Sequence, residues 1–151
     1  MNLLSILFRS SRPSHTFDMP AVSSPLFIKK GYDALTFFGH IITHSQEDAE
    51  AFSRPNALKN HEMIHLYQAR STHDSWICFY WKYMVFWLRA NRYRKHLRNA
   101  GYLLNPFEME AYAHMYDPYY LKPGGQATGW KHYAALSLQQ RLELYLKQRK
   151  Y

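Results

Sequence analysis

Residues 76–88, WICFYWKYMVFWL, constrain the fold more than any other stretch of the chain. The run is shorter than the roughly 20 residues a membrane-spanning helix needs, and Lys82 stands in its middle. Its large side chains recur at Trp76, Phe79, Tyr80, Tyr83, Met84 and Trp87, the i, i+3, i+4, i+7 spacing of one helix face. Such a face needs a core to pack on, and an aromatic content of 17% supplies the apolar area for one. In 151 residues there is room for one domain with a sizeable core but not for two. The pattern therefore predicts a helix over about 73–98, with Trp76, Phe79, Tyr83 and Trp87 buried against a neighbouring helix. Aromatics followed by arginines also describe an interfacial anchor, so membrane-surface association through 76–98 stands as a second reading.

Net charge is +8 and the sequence pI is 9.6. The cations fall into two clusters, Arg89, Arg92, Arg94, Lys95 and Arg98, and Lys147, Arg149 and Lys150. Both suit helix ends and solvated faces better than a nucleic-acid footprint. Cys78 stands alone, so neither an intrachain disulfide nor a cysteine-based zinc site can form. The start, MNLLSILFRSSRPSHTF, has an apolar patch without a basic lead or a small-residue cleavage site, and the expected location is cytoplasmic.

Residues 1–26, rich in Ser and Pro, read as an arm or irregular segment whose order depends on docking, followed by a single domain over 27–151. In DALTFFGHIITHS, apolar and polar residues alternate, which predicts a strand, with Gly39 marking a bulge or a hairpin turn. SQEDAEAFSRP is a polar connection or short helix. A helix should then start near Ser53 or Asn56 and run to about Arg70. Asn105 as N-cap and Pro106 at the first helical position start another helix, and a last one is expected over about 133–147. The fold class is thus mainly α (α+β), with a small edge strand or hairpin ahead of the first long helix.

That helix carries His61-Glu62-Met63-Ile64-His65. Histidines at i and i+4 point the same way, and two imidazoles with a third ligand make a zinc site that keeps a position for water. Glu62 is placed to take a proton from that water. Two candidates answer for the third ligand, Glu108 and Glu110, in NPFEMEAYAH. Residues two apart on a helix point about 200° away from each other, so only one of the two can face a given metal. Asn105 and Glu108 also have the spacing of a capping box, which would leave the metal to Glu110. Tyr112 and His114 are candidates to stabilise an oxyanion or to support a ligand. The remaining histidines, among them His40, His44, His73, His96 and His132, lack comparable spacing.

With NHEMIHLYQ and FEMEAYA, the chain resembles gluzincin-type zinc metallopeptidases and small bacterial proteins of the same zincin type. In several such families the third-ligand Glu begins a run similar to Glu-x-x-Ala followed by Asp or Asn. Glu108 to Ala111 fit its first four places, and Tyr112 departs at the fifth. Shifted by two, Glu110 to Ala113 also fit, with His114 in the fifth place. The resemblance covers roughly 35–120 and implies a zincin-like helical domain with Zn2+ on His61, His65 and Glu108, or Glu110 in its stead. It further implies a hydrolase, Glu62 as general base, and an extended peptide or protein substrate paired with an edge strand. A zincin-like binding or regulatory module with weak or no turnover needs the same ligands.

Overall fold

The computed structural model describes residues 11–15, 19, 21–23, 34–52 and 54–149. It is mainly helical, with a small sheet of strands β1 (Ala21–Ser23), β2 (Ala34–Phe37) and β3 (His40–Thr43). The helices are α1 (Gln46–Ala51), α2 (Ala57–Ser71), α3 (Trp76–Ala90), α4 (Ala100–Leu103), α5 (Pro106–His114), α6 (Trp130–Ala135) and α7 (Leu138–Gln148).

Gly39 belongs to a tight hairpin turn. Phe38 and Gly39 both have positive φ, 45° and 83°, the twist that joins two antiparallel strands through two residues. Phe37 pairs with His40, and the register continues to Ala34 opposite Thr43. β3 is central, β1 pairs with it in parallel, and β2 is left at an edge of the described sheet. β1 lies within the segment expected to be irregular. Other described parts of that segment are docked as well. Ser11 accepts from the Trp76 N–H at 2.6 Å, Arg70 Nε donates to the Ser14 carbonyl at 2.8 Å, and Met19 is buried in the core. The rest of the proposed arm lies outside the described residues.

Helix starts follow local chemistry closely. The Asn56 side chain accepts from the Lys59 N–H to cap α2, Ser75 caps α3, and Asn105 accepts from Phe107 N with Pro106 in the first turn of α5. Helix ends follow it less well. The helix expected over 73–98 begins only at Trp76, because His73 and Asp74 take left-handed φ values of 59° and 51°. It stops at Ala90 and passes into a 3₁₀ turn, Asn91–Tyr93, and then turns up to the left-handed Asn99. The last expected helix is two: extended backbone at Leu136 ends α6, and Ser137 and Gln140 form a capping box that starts α7.

α2 runs through the centre, and every residue from His61 to Arg70 is buried. Phe107 on α5 is fully buried between Phe79 and Trp130, with ring centroids 4.7 and 4.8 Å away, and Phe86 meets its edge. Of the α3 face expected to be inward, Trp76 and Phe79 are buried and Tyr83 is half-buried. Trp87 and Met84 are exposed. The buried side of α3 instead runs Trp76, Phe79, Tyr83, Phe86, Ala90. A smaller cluster of Ala90, Ala100, Leu104 and Leu142 joins α4 and α7 to the end of α3. The buried Arg141 completes that joint by donating from Nη1 to the carbonyl of Leu104 at 2.9 Å.

Phe107 fills the space where α3, α5 and α6 meet, so Phe107→Ala should cost about 3–5 kcal/mol of stability in urea unfolding. A loss below about 1 kcal/mol would show that the aromatic junction does not hold these helices together.

Candidate metal centre

α2 and α5 bring His61, His65 and Glu108 into one buried group that could hold a metal ion. His61 Nε2 lies 3.2 Å from His65 Nε2 and 3.1 Å from Glu108 Oε2, and His65 Nε2 lies 3.5 Å from Glu108 Oε1. Two imidazole nitrogens bound at about 2.05 Å to one tetrahedral ion are about 3.3 Å apart, so the donor spacing fits a single cation.

Hydrogen bonding supports that fit. His65 Nδ1 is 2.8 Å from Gln68 Oε1. Gln68 Nε2 is committed elsewhere, donating to Glu110 Oε2 at 2.7 Å and to the Phe107 carbonyl at 2.9 Å. The Gln68 oxygen must then accept, which puts the His65 proton on Nδ1 and the lone pair on Nε2, toward the group. His61 is held differently: its Nδ1 is buried with no hydrogen-bond partner among the described residues, and the Tyr112 ring meets its ring edge-on at 4.6 Å. Glu108 Oε1 accepts from the Tyr83 hydroxyl at 2.7 Å. His65 Nε2 and both Glu108 oxygens present lone pairs to one point, so either a proton on His61 Nε2 or a cation must bind them together.

The ionisation of the group follows from the same geometry. Burial works against a charged Glu108, but the two histidines and the Tyr83 hydroxyl outweigh it and hold the carboxyl down at about 2. Burial likewise works against a charged His61. The hydrogen bond to Glu108 and the negative charges of Glu108 and Glu62 prevail and raise its pKa above the ordinary 6.5.

The remaining expected residues fall into distinct places. Glu62 is buried beside the group, and its Oε2 accepts from the Thr36 hydroxyl of β2. Glu110 points away from the histidines. Its Oε1 accepts from Tyr120 OH at 2.5 Å and from Gly129 N at 2.6 Å, while its Oε2 takes the Gln68 amide. A Cβ on Gly129 would stand 2.8 Å from Glu110 Oε1, so any larger residue there would have to displace the Glu110 carboxylate. The capping box does not form, since both Glu108 oxygens are engaged with the histidines and Tyr83 and the Asn105 cap bonds Phe107 N. Tyr112, one turn after Glu108, reaches the His61 ring, and its hydroxyl pairs with Tyr102 OH at 3.0 Å. Burial and the nearby Glu108 and Glu62 raise the Tyr112 pKa, so the phenol keeps its proton at neutral pH. His114 stacks on Tyr120 at 3.8 Å, on the Glu110 side of the helix.

Gln68, Tyr83 and Thr36 escaped the sequence reading. Gln68 carried a usable signal, because it stands three residues after His65 and a helix places it one turn along the same face. Tyr83 and Thr36 reach the site from other elements, and nothing local marks them.

Metal affinity should respond very differently to the two glutamates. Glu108→Gln should weaken binding of Co2+, used as a spectroscopic probe, by orders of magnitude. Glu110→Gln should weaken it about tenfold, through Gln68 and His65, and should cost about 1–3 kcal/mol of stability because two or more donors lose a charged acceptor. The reverse ranking of affinities would move the ligand to Glu110. Affinity should also fall with acid. In the metal-free protein His61 keeps its proton to a pH above 6.5, a proton the metal displaces, so binding should weaken up to about tenfold per pH unit below that raised pKa and level off above it. A pH-independent affinity between 5 and 8 would contradict a histidine ligand. Neither protein-family models, nor characterised proteins, nor solved structures match this chain, so the chemistry of the group rests on its own geometry.

Proposed function

We propose that the chain is a zinc-dependent hydrolase of extended peptides, with Zn2+ held by His61, His65 and Glu108. The observation that carries this reading is the position of Glu62, adjacent to His61 on α2 and outside the ligand group, with a β2 hydroxyl on one carboxylate oxygen. Two imidazoles and a carboxylate suit Zn2+, and two nearby carboxylates favour a dication. Zinc, when bound, supplies the Lewis acidity that polarises a scissile carbonyl and acidifies a water.

The chain's own groups supply the rest of the reaction. Thr36 fixes Oε2 of Glu62 and leaves the other oxygen to take the proton of the attacking water and deliver it to the leaving amine. Tyr112, protonated and beside His61, can donate from its hydroxyl to a carbonyl oxygen as that oxygen gains charge. β2 lies at the edge of the described sheet next to Glu62, where an extended peptide could add as a further strand.

One observation favours the alternative of a binding module with little turnover. Along the side of β2 away from β3, Tyr80 OH donates to the Thr36 carbonyl at 2.9 Å and accepts from the Phe38 N–H at 3.1 Å. Those are groups an added strand would use, so Tyr80 must turn away for a peptide to pair along the whole edge.

Metal analysis of the purified chain, followed by assay against a pooled fluorogenic peptide library, separates the readings. About one zinc per chain is expected, with iron the ion that would redirect the assignment. Glu62→Gln should retain the metal and the fold and lose hydrolysis by at least about a hundredfold. A zinc-loaded wild type that cleaves nothing in the library would favour the module, and near wild-type cleavage by the variant would remove Glu62 from its role.

A further inference from the structure

The outer face of α3 carries a surface that the hydrolase reading does not use. At 100° per residue, Ile77, Trp81, Met84 and Leu88 fall within an arc of about 60° on the side opposite Phe79 and Phe86. All four are exposed, at 48%, 71%, 52% and 57%. Phe37 and Phe38 at the hairpin tip are exposed too, and the Phe38 ring sits 5.2 Å from Tyr80, which extends the apolar patch sideways. Together these side chains expose on the order of 500 Å² of apolar surface, the size of the largest apolar patch on a typical monomer, which is often a functional one.

What covers the patch is indicated by the charge around it. From residue 75 to residue 107 the chain has no Asp or Glu, and it has six Lys and Arg. Five of these, Arg89, Arg92, Arg94, Lys95 and Arg98, follow the apolar stripe along the chain and are exposed, without an ion pair among the described residues. At that end of α3 a cavity of about 320 Å³ is lined by Trp87, Asn91, Arg94, Arg98, Asn99 and Tyr102. Its side chains offer two guanidinium forks, two carboxamides, an indole and a phenol, and no carboxylate. Guanidinium forks match phosphate oxygens in pairs. Gly101 completes the wall, where a Cβ would stand 2.8 Å from the Trp87 indole nitrogen. Trp87 thus borders both the cleft and the apolar stripe, and an indole with one wet and one dry side suits a bilayer interface.

We propose that α3 docks the protein on a bilayer containing anionic phospholipid, with the Ile77, Trp81, Met84 and Leu88 stripe in the interface and the Arg94 and Arg98 cleft on a lipid phosphate. The helix lies in the plane of the surface, and no helix among the described residues is long and apolar enough to cross a membrane. A protein partner would need an acidic rim around an apolar centre. A leaflet of anionic lipid presents that combination everywhere.

The test is cosedimentation of the whole chain with vesicles of phosphatidylcholine alone or mixed with phosphatidylserine. Binding is expected only with phosphatidylserine present, weakening as salt rises. Arg94→Gln with Arg98→Gln should weaken it about tenfold or more. Trp81→Ser with Leu88→Ser should weaken it to a similar degree, while circular dichroism and the unfolding midpoint stay unchanged because both side chains are already exposed. No sedimentation with either vesicle overturns the proposal, and so does binding that the Trp81 and Leu88 changes leave intact. Inorganic phosphate that raises the unfolding midpoint through Arg94 and Arg98, without vesicle binding, would make the cleft a free-anion site instead. A concentration-dependent dimer lost in Trp81→Ser, with no lipid binding, would make the stripe a self-association face. The readout is independent of metal and turnover, so failure here leaves the hydrolase reading standing.

Discussion

The rest of the structure depends on burying α2, a helix enclosed on all sides although half of its buried run is polar. His61, Glu62, His65, Gln68 and Arg70 lie inside with Met63, Ile64, Leu66, Tyr67 and Ala69. A buried polar group without a partner costs on the order of 1–3 kcal/mol, so each neighbouring element has to arrive with a matching atom. β2 brings the Thr36 hydroxyl, α5 brings the Glu108 carboxylate, the segment before β1 brings the Ser14 carbonyl, and the loop before α6 brings the Gly125 carbonyl. The architecture around α2 is therefore specified by hydrogen bonding as much as by apolar packing.

The two glutamates of α5 show how one short helix serves two such demands. Their opposite directions put Glu108 against the histidines and Glu110 against Tyr120 and the Gly129 amide. They remain connected, because Gln68 takes a proton bond from His65 on one end and gives one to Glu110 on the other. Glu110 thereby acts on His65 at a distance, by fixing which way the Gln68 amide faces and so which nitrogen of His65 carries the proton. His61 has no equivalent restraint among the described residues, and its tautomer follows from whatever sits at its Nε2. Of the two imidazoles, His65 is preorganised and His61 adapts.

Features set by a few adjacent residues were legible in the sequence. Asn105 announces the start of α5, Asn56 is one of two starts the sequence offers for α2, Gly39 marks a bulge or turn that proves to be the hairpin, and the His61 and His65 spacing places both rings on one face. What escaped depends on elements far apart in the chain. α3 is apolar nearly all round, so its sequence contains two helical stripes, and the position of Phe107 and Trp130, on elements distant in the chain, puts Phe79 and Phe86 inside while Trp81 and Met84 stay out. Asn105 and Glu108 have capping-box spacing, yet two buried histidines and Tyr83 offer Glu108 stronger partners than its own helix start does. The break at Leu136 and Ser137 was encoded locally by Ser137 and Gln140, inside the span expected to be one helix.

The hairpin ties the buried group to the outer face of α3. Thr36 on β2 holds Glu62, its carbonyl is held by Tyr80, and Tyr80 stacks on Trp76 while meeting the Phe38 ring. Thr36 and Phe38 are two residues apart on a strand end, so a displacement of the hairpin tip moves the hydroxyl that orients Glu62. Tyr80 resists that displacement with two hydrogen bonds and aromatic contact on both sides. Its burial raises the phenol's pKa, which keeps the hydroxyl a donor to Thr36 throughout the neutral range. A single tyrosine on α3 therefore contacts both the strand edge beside Glu62 and the exposed Phe38, so the buried centre and the apolar surface share one support.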